Sequence, residues 1–310
     1  MTAWRFALVL GPAAVALAGS FSGASAQGFD AVEISTIPVA PGLHMMVGRG
    51  GNLAVSTGED GVFLIDDQYA PLTQKIRAAI ATVSDAPIRF VLNTHWHGDH
   101  TGGNENLGRA GALIFAHDNV RKRLSVEQFM EALDRRVPPS PEEALPVVTF
   151  NDTVTFHLNG DEVHAFGVPP AHTDGDALVH FRRANVIHMG DIYFSRGFPF
   201  IDLSSGGSVE GVIAAVDRVL AMADANTRLI PGHGPLSNRA ELEKYRAMLV
   251  AIRDRIRDAS ASGQTLDQIL ATRPTREFDQ AWGKGFIDPE SFVRSVYRSL
   301  ADERRDAERR

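Results

Sequence analysis

The chain has 310 residues, 44% hydrophobic and 22% charged, with a formal net charge of −7. These are globular values with room for a sizeable core, and the acidic balance gives no footprint for nucleic acid. There is no cysteine, which excludes disulfides, lipidated cysteine anchors and thiolate nucleophiles or metal ligands.

The N-terminal stretch MTAWRFALVLGPAAVALAGSFSGASAQ carries one basic residue, Arg5, then an apolar run from Phe6 to Ala18, then Ala24-Ser25-Ala26 ahead of Gln27. A basic start, an apolar middle and an Ala-x-Ala cleavage site predict a secretory signal peptide over residues 1–26. The run is short of the ~20 residues a membrane span needs. The expectation is an exported protein, periplasmic or released, with no stable membrane anchor. It would have a catalytic domain over 27–236 and C-terminal helices over 237–310 packed on it.

Leu43 to Val55 reads as two short strands around GRGGN, a Gly-rich hairpin or mobile lid. GVFLIDD follows as a buried strand ending in Asp66 and Asp67. Ile76, Ile80 and Val83 share one side of a helix over 72–83, and IRFVLN (Ile88 to Asn93) is a buried strand. Leu113 to Phe115 is a further short strand, and Val120 to Leu133 reads as helical. In TVTFHLNGDEVHAF the alternation of Val154, Phe156 and Leu158, then Val163 and Ala165, marks a hairpin; Asn159-Gly160 supplies the type I′ turn. Strands at 177–181 and 185–191 follow.

Ser208 then caps a helix carrying Val212, Val216, Leu220 and Met222. TRLIPGHG is a last strand and turn. Asn238 and Glu241 fit a capping box ahead of an apolar stripe of Leu242, Tyr245, Leu249, Ile252 and Ile256. A shorter helix near Leu266 and one opened by Asp288-Pro289 finish the chain. Two β-rich halves with helices outside predict an α/β, four-layer αββα sandwich.

The chemistry concentrates in VLNTHWHGDHTGGN. His95, His97, Asp99 and His100 fall within six positions at the end of a strand. In extended chain, residues two apart point the same way, so His95 and His97 can face one metal. A turn at Gly98 would carry Asp99 and His100 to a neighbouring position. Imidazole with carboxylate suits zinc, with iron or manganese as alternatives. His172, Asp191 and His233 also sit at predicted strand ends and are candidate ligands. His44, His117, His157, His164 and His180 stand alone and are not taken as ligands. His188, three residues before Asp191, is a candidate for support behind the ligands.

The HWHGDH cluster, followed in order by His172, Asp191 in a Gly-Asp pair and His233 in PGHG, resembles the metallo-β-lactamase superfamily over roughly residues 40–236. The resemblance implies an αββα fold and two zinc ions: His95, His97 and His172 on the first, Asp99, His100 and His233 on the second, Asp191 bridging. It also implies a zinc-bound hydroxide, oriented by Asp99, attacking a carbonyl. His97 stands where the di-iron members carry Glu, which places the chain with the hydrolases.

For substrate, a small molecule, three classes compete: β-lactams, lactones or esters, and thioesters of the glyoxalase II kind. Asp191 stands where the dedicated lactamases carry Cys or Ser, and Phe194 where many carry Lys, so β-lactam turnover is expected to be weak at best. No basic glutathione-binding surface is evident in 238–310, and a nuclease is disfavoured by acidity and export. Trp96, Phe194 and Arg196 are candidate substrate contacts, with Phe198, Phe200 and Ile201 as further pocket candidates. The non-enzyme alternative is a metal-binding protein without turnover.

Overall fold

The structure is a computed structural model that describes Met1 and residues 28–309. Apart from Met1, the expected leader, residues 1–26, lies outside the described residues.

Along the chain β1 (Ser35–Ala40), β2 (Leu43–Val47), β3 (Leu53–Ser56) and β4 (Val62–Ile65) form an antiparallel meander. The connections then become crossovers. α1 (Thr73–Ile80) leads to β5 (Ile88–Leu92), and α2 (Gly98–Thr101) with α3 (Asn104–Arg109) leads to β6 (Leu113–His117). α4 (Asp118–Leu124) and a small hairpin of β7 (Gln128–Met130) and β8 (Arg135–Val137) lead to β9 (Val148–Phe150). The result is a seven-stranded sheet ordered β1-β2-β3-β4-β5-β6-β9, parallel from β4 onward.

β10 (Thr153–Leu158) and β11 (Asp161–Gly167) form the expected hairpin, with Asn159 at φ 53° and Gly160 at φ 73° in its turn. β12 (Ala177–Phe181) and β13 (Val186–His188) continue it antiparallel, and α5 (Val209–Met222) crosses over to β14 (Arg228–Ile230), parallel to β13. β15 (Ser237–Asn238) completes a six-stranded sheet. α6 (Arg239–Ala261), α7 (Leu266–Thr272), α8 (Asp279–Trp282) and α9 (Pro289–Arg309) follow.

Alternation along the strands sets the layers. In β4, Phe63 and Ile65 point between the two sheets with Met45, Leu92, Phe181 and Ile230. Val62 and Leu64 point outward against Ile76 and Ile80 of α1. On the far side Leu178, Ile187 and Leu229 pack under α5, α6 and α9. This is the expected four-layer sandwich with C-terminal helices. Each large apolar side chain so buried contributes roughly 1.5–3 kcal/mol. α6 also reaches toward the loop after β13: the buried Tyr245 hydroxyl donates to the Ile192 carbonyl at 3.1 Å.

Three local expectations are corrected. The helix expected over Val120 to Leu133 stops at Leu124 and gives way to the β7–β8 hairpin. Val126 and Phe129, needed on its apolar side, are 55% and 45% exposed, so nothing rewards continuing it. The Gln128 side chain instead donates to the carbonyls of Arg123 and Val126 and closes the helix. At α6, Asn238 accepts from the Glu241 N–H, but the Glu241 carboxylate pairs with Lys244 at 2.6 Å, so the box is only half formed. A complete box caps α7, between Thr265 and Gln268. β1, α2 and α3 were not anticipated by periodicity; α2 and α3 occupy the stretch read as a turn.

Candidate metal centre

The carboxyl ends of β5, β13 and β14 lie on one edge of the sandwich, where parallel crossovers leave a crevice. β5 ends at Leu92 and delivers His95 to His100; β13 ends at His188 ahead of Asp191; β14 ends at Ile230 ahead of His233. His172 comes from the loop between β11 and β12. All seven converge in two groups whose ligand atoms lie within 4.8 Å of one another: His95, His97, His172 and Asp191, and Asp99, His100 and His233.

Asp191 joins the groups. Its Oδ2 faces His172 Nε2 at 3.7 Å and His95 Nε2 at 4.0 Å. Its Oδ1 faces His100 Nε2 at 3.0 Å and His233 Nε2 at 3.4 Å. Asp99 Oδ2 stands 3.3 Å from His233 Nε2.

Hydrogen bonds behind the ring fix which nitrogen His172, His97 and His100 present. His172 Nδ1 meets the Phe200 carbonyl at 2.6 Å, so Nε2 is its lone pair. His97 Nε2 lies 3.0 Å from Asp202 Oδ2, so Nδ1 is its lone pair. These two nitrogens face each other at 2.9 Å, which is repulsive unless a proton or a metal cation sits between them. His100 Nδ1 lies 2.8 Å from Asp66 Oδ2, which turns Nε2 toward Asp191. The buried His95 Nε2 has no hydrogen-bond partner among the described residues. Donors ~2.0–2.1 Å from one tetrahedral zinc stand about 3.3 Å apart, and the spacings here bracket that value. The donor set therefore fits divalent metal.

The electrostatics differ between the groups. Burial, with neighbouring His100, holds His95 well below the usual histidine range, and burial takes His172 down to about 4. In the other group burial also disfavours charge but is overcome. The carboxylates of Asp191 and Asp99 raise His100, and Asp191 raises His233 to about 9. Burial likewise opposes ionisation of Asp99, yet His100 and His233 bring it down to about 2.

Local backbone makes this possible. Asp66 takes a left-handed φ of 60°, and its carboxylate accepts from Thr94 N and Oγ1 as well as facing His100. A side chain at Gly51 would run into the His100 imidazole, and one at Gly232 into the Asp191 carboxylate. Gly98, expected to provide the turn, would let an added Cβ point into open space and simply opens α2. The C-terminal end of the GRGGN hairpin is pinned to the site: Gly51 N donates to Asp99 O, Asn52 N to Gly232 O, and the Asn52 side chain to Pro231 O and Gly234 O. His188 supports rather than ligates, meeting the Asn52 carbonyl and accepting from Gly190 N.

A cavity of about 410 Å³ opens over the ligands. Phe194, stacked on His233 at 5.1 Å, and Phe200 and Arg196 line it. Trp96 does not: it is buried beside Ala116 and Val120, and its indole N–H donates to Ser205 Oγ. Phe198 stacks on Phe292 at 4.7 Å in the core, where Ile201 also lies. Sequence reasoning missed Asp202 and Asp66 as partners of His97 and His100, and Arg49, Tyr69 and Arg135 as pocket walls. Only Asp66, at a strand end, carried a visible signal.

A family model described as the metallo-beta-lactamase superfamily matches residues 48–247. The hydroxyacylglutathione hydrolase of Nitrosococcus oceani is 28% identical over 192 residues, covering 61% of this chain and 64% of that protein. The chain thus spans just under two thirds of the length of that relative. A metallo-beta-lactamase from Pontibacter korlensis superposes with a TM-score of 0.57 at 17% identity, over 70% of this chain and 99% of that one. The stereoselective inverting sec-alkylsulfatase Pisa1 from Pseudomonas sp. superposes with a TM-score of 0.66 at 18% identity, over 88% of this chain and 51% of that one. At these identities the two structures show a shared fold.

Proposed function

The chain belongs to the metallo-beta-lactamase superfamily, and from that premise we propose that it is a di-zinc hydrolase of small acyl substrates, thioesters or esters before β-lactams. The observation that carries this reading is Asp191, whose two oxygens face separate ligand groups. Two zinc ions held there would supply Lewis acidity and an activated water at neutral pH.

The chain's own residues do the rest. Asp99, at the rim of the second group, would orient the attacking water as well as serve as a metal ligand. Asp202 and Asp66 hold His97 and His100 in the tautomers that present lone pairs. Phe194 and Phe200 exclude water from one side of the cavity while its mouth stays open to a substrate. The relatives named hydroxyacylglutathione hydrolases support a thioester or ester substrate, as does a carboxylate at position 191. The leader pattern of residues 1–26 supports action outside the cytoplasm.

The test is metal analysis of the purified protein together with a panel of thioester, ester, lactone, β-lactam and phosphodiester substrates. Two equivalents of zinc, and acyl hydrolysis abolished by chelator and restored by zinc, are expected. Bound metal without turnover of any acyl substrate would leave the metal-storage reading instead.

A further inference from the structure

We propose that the cavity selects acyl substrates bearing a carboxylate, held by an anion subsite of Arg135, Tyr69 and Arg49; this deepens the hydrolase reading above and rests on it. The three residues come from separate segments: Arg49 from the glycine hairpin, Tyr69 from the loop after β4, Arg135 from β8. All line the same cavity as His97, Asp99 and His233. Tyr69 is only part-buried; burial and the nearby Asp99 raise its phenol, while Arg135 and Arg49 act on it in the opposite sense. Its hydroxyl remains a proton donor in the cavity that the two arginines also line.

Arg135 is aimed by the β7–β8 hairpin. Met130 and Arg135 are direct cross-strand partners, so they project from the same face, and both line the cavity. The neighbouring pair, Phe129 and Arg136, projects from the opposite face, where the guanidinium lies 5.4 Å from the ring centre. Two arginines lining the cavity, Arg135 and Arg196, have no side-chain ion pair or hydrogen bond among the described residues, and of these Arg135, with Arg49, is the one that acts on Tyr69. Arg136 is paired with Glu127, Arg123 with Asp174, and Arg298 with Glu131. The Arg135 side chain is left without such a partner, although the chain as a whole is acidic. An unpaired guanidinium facing a substrate cavity matches the planar fork of a carboxylate. Phe200 and the 70% exposed Phe286, whose rings stand 6.2 Å apart, also line the cavity and give it an apolar surface that suits the hydrocarbon part of the same substrate.

The test compares 4-nitrophenyl hydrogen glutarate with its methyl ester on zinc-loaded protein. Calorimetry of 4-phenylbutyrate against 4-phenylbutyramide provides a readout independent of turnover. The native protein is expected to prefer the carboxylate in kcat/KM by roughly ten- to hundredfold, the range of one charge-assisted contact. Arg135→Gln should erase most of that ratio through KM, Arg135→Lys should retain part of it, and Tyr69→Phe should lower it less. Arg135 has no structural partner to lose, unlike Arg49, which donates to the Gly28 carbonyl and covers the Phe29 ring. No preference in the native protein, equal loss on both esters in Arg135→Gln, or 4-phenylbutyrate binding unchanged by Arg135→Gln would overturn the subsite. If neither ester turns over, the hydrolase reading falls, and the calorimetry still decides the subsite.

Discussion

Asp202 Oδ2 lies 3.0 Å from His97 Nε2, across 105 positions of sequence. The same oxygen accepts from Ser205 Oγ at 2.6 Å, and Ser205 in turn accepts from the Trp96 indole. The carboxylate thus sets the His97 tautomer, and the tryptophan beside it sets the carboxylate. Asp202→Ala is expected to weaken metal at the first group about ten- to hundredfold, measured by competition with a chromogenic chelator. Zinc retention equal to the native protein would show that His97 orients without it.

Metal at these ligands would hold together donors that otherwise repel, so its removal should cost stability. Thermal unfolding of chelator-treated protein is expected at a Tm several degrees lower, recovering on zinc addition. An unchanged Tm would mean that the ligands do not take up metal in the folded chain.

The second ligand group carries protons that metal must displace. His233 is raised from 6.5 to about 9 by Asp191, against the effect of burial. A raised histidine contributes stability to the metal-free fold that is complete below 6.5 and lost as pH rises through about 9. Metal binding runs the other way: its affinity should climb between those values, with proton release. Calorimetry in buffers of different ionisation enthalpy measures the release, and a pH-independent affinity would refute the assignment.

Glycine positions around the site should separate sharply. Gly51→Ala drives a methyl group into His100 and is expected to lower zinc content at the second group, read by metal analysis. Gly98→Ala meets nothing and begins a helix. It should leave zinc content unchanged and raise stability by about 0.4–1 kcal/mol.

The C-terminal helices brace the loop after the bridging ligand. Tyr245→Phe leaves the Ile192 carbonyl without its donor and is expected to cost ~1–3 kcal/mol. Phe292→Ala, which empties the place stacked on Phe198, should cost about 3–5 kcal/mol. Both are read from denaturant unfolding of the zinc-loaded protein.

The sequence by itself determined the layers and the donor types. Alternation in β10 and β11, the helical stripe of α6 and the Asn159-Gly160 turn are local signals, because a side chain's direction follows from its neighbours' backbone. The HWHGDH cluster is legible for the same reason: its donors share one short segment. Tertiary structure alone decided which nitrogen His97, His100 and His172 present, since that depends on Asp202, Asp66 and the Phe200 carbonyl, all distant in sequence. It also decided that residues 128–137 fold back as a hairpin rather than continue a helix, because Val126 and Phe129 find no surface on which to be buried. Arg135 faces the cavity for that reason, and periodicity read along one segment carries no information about what lies across a crevice.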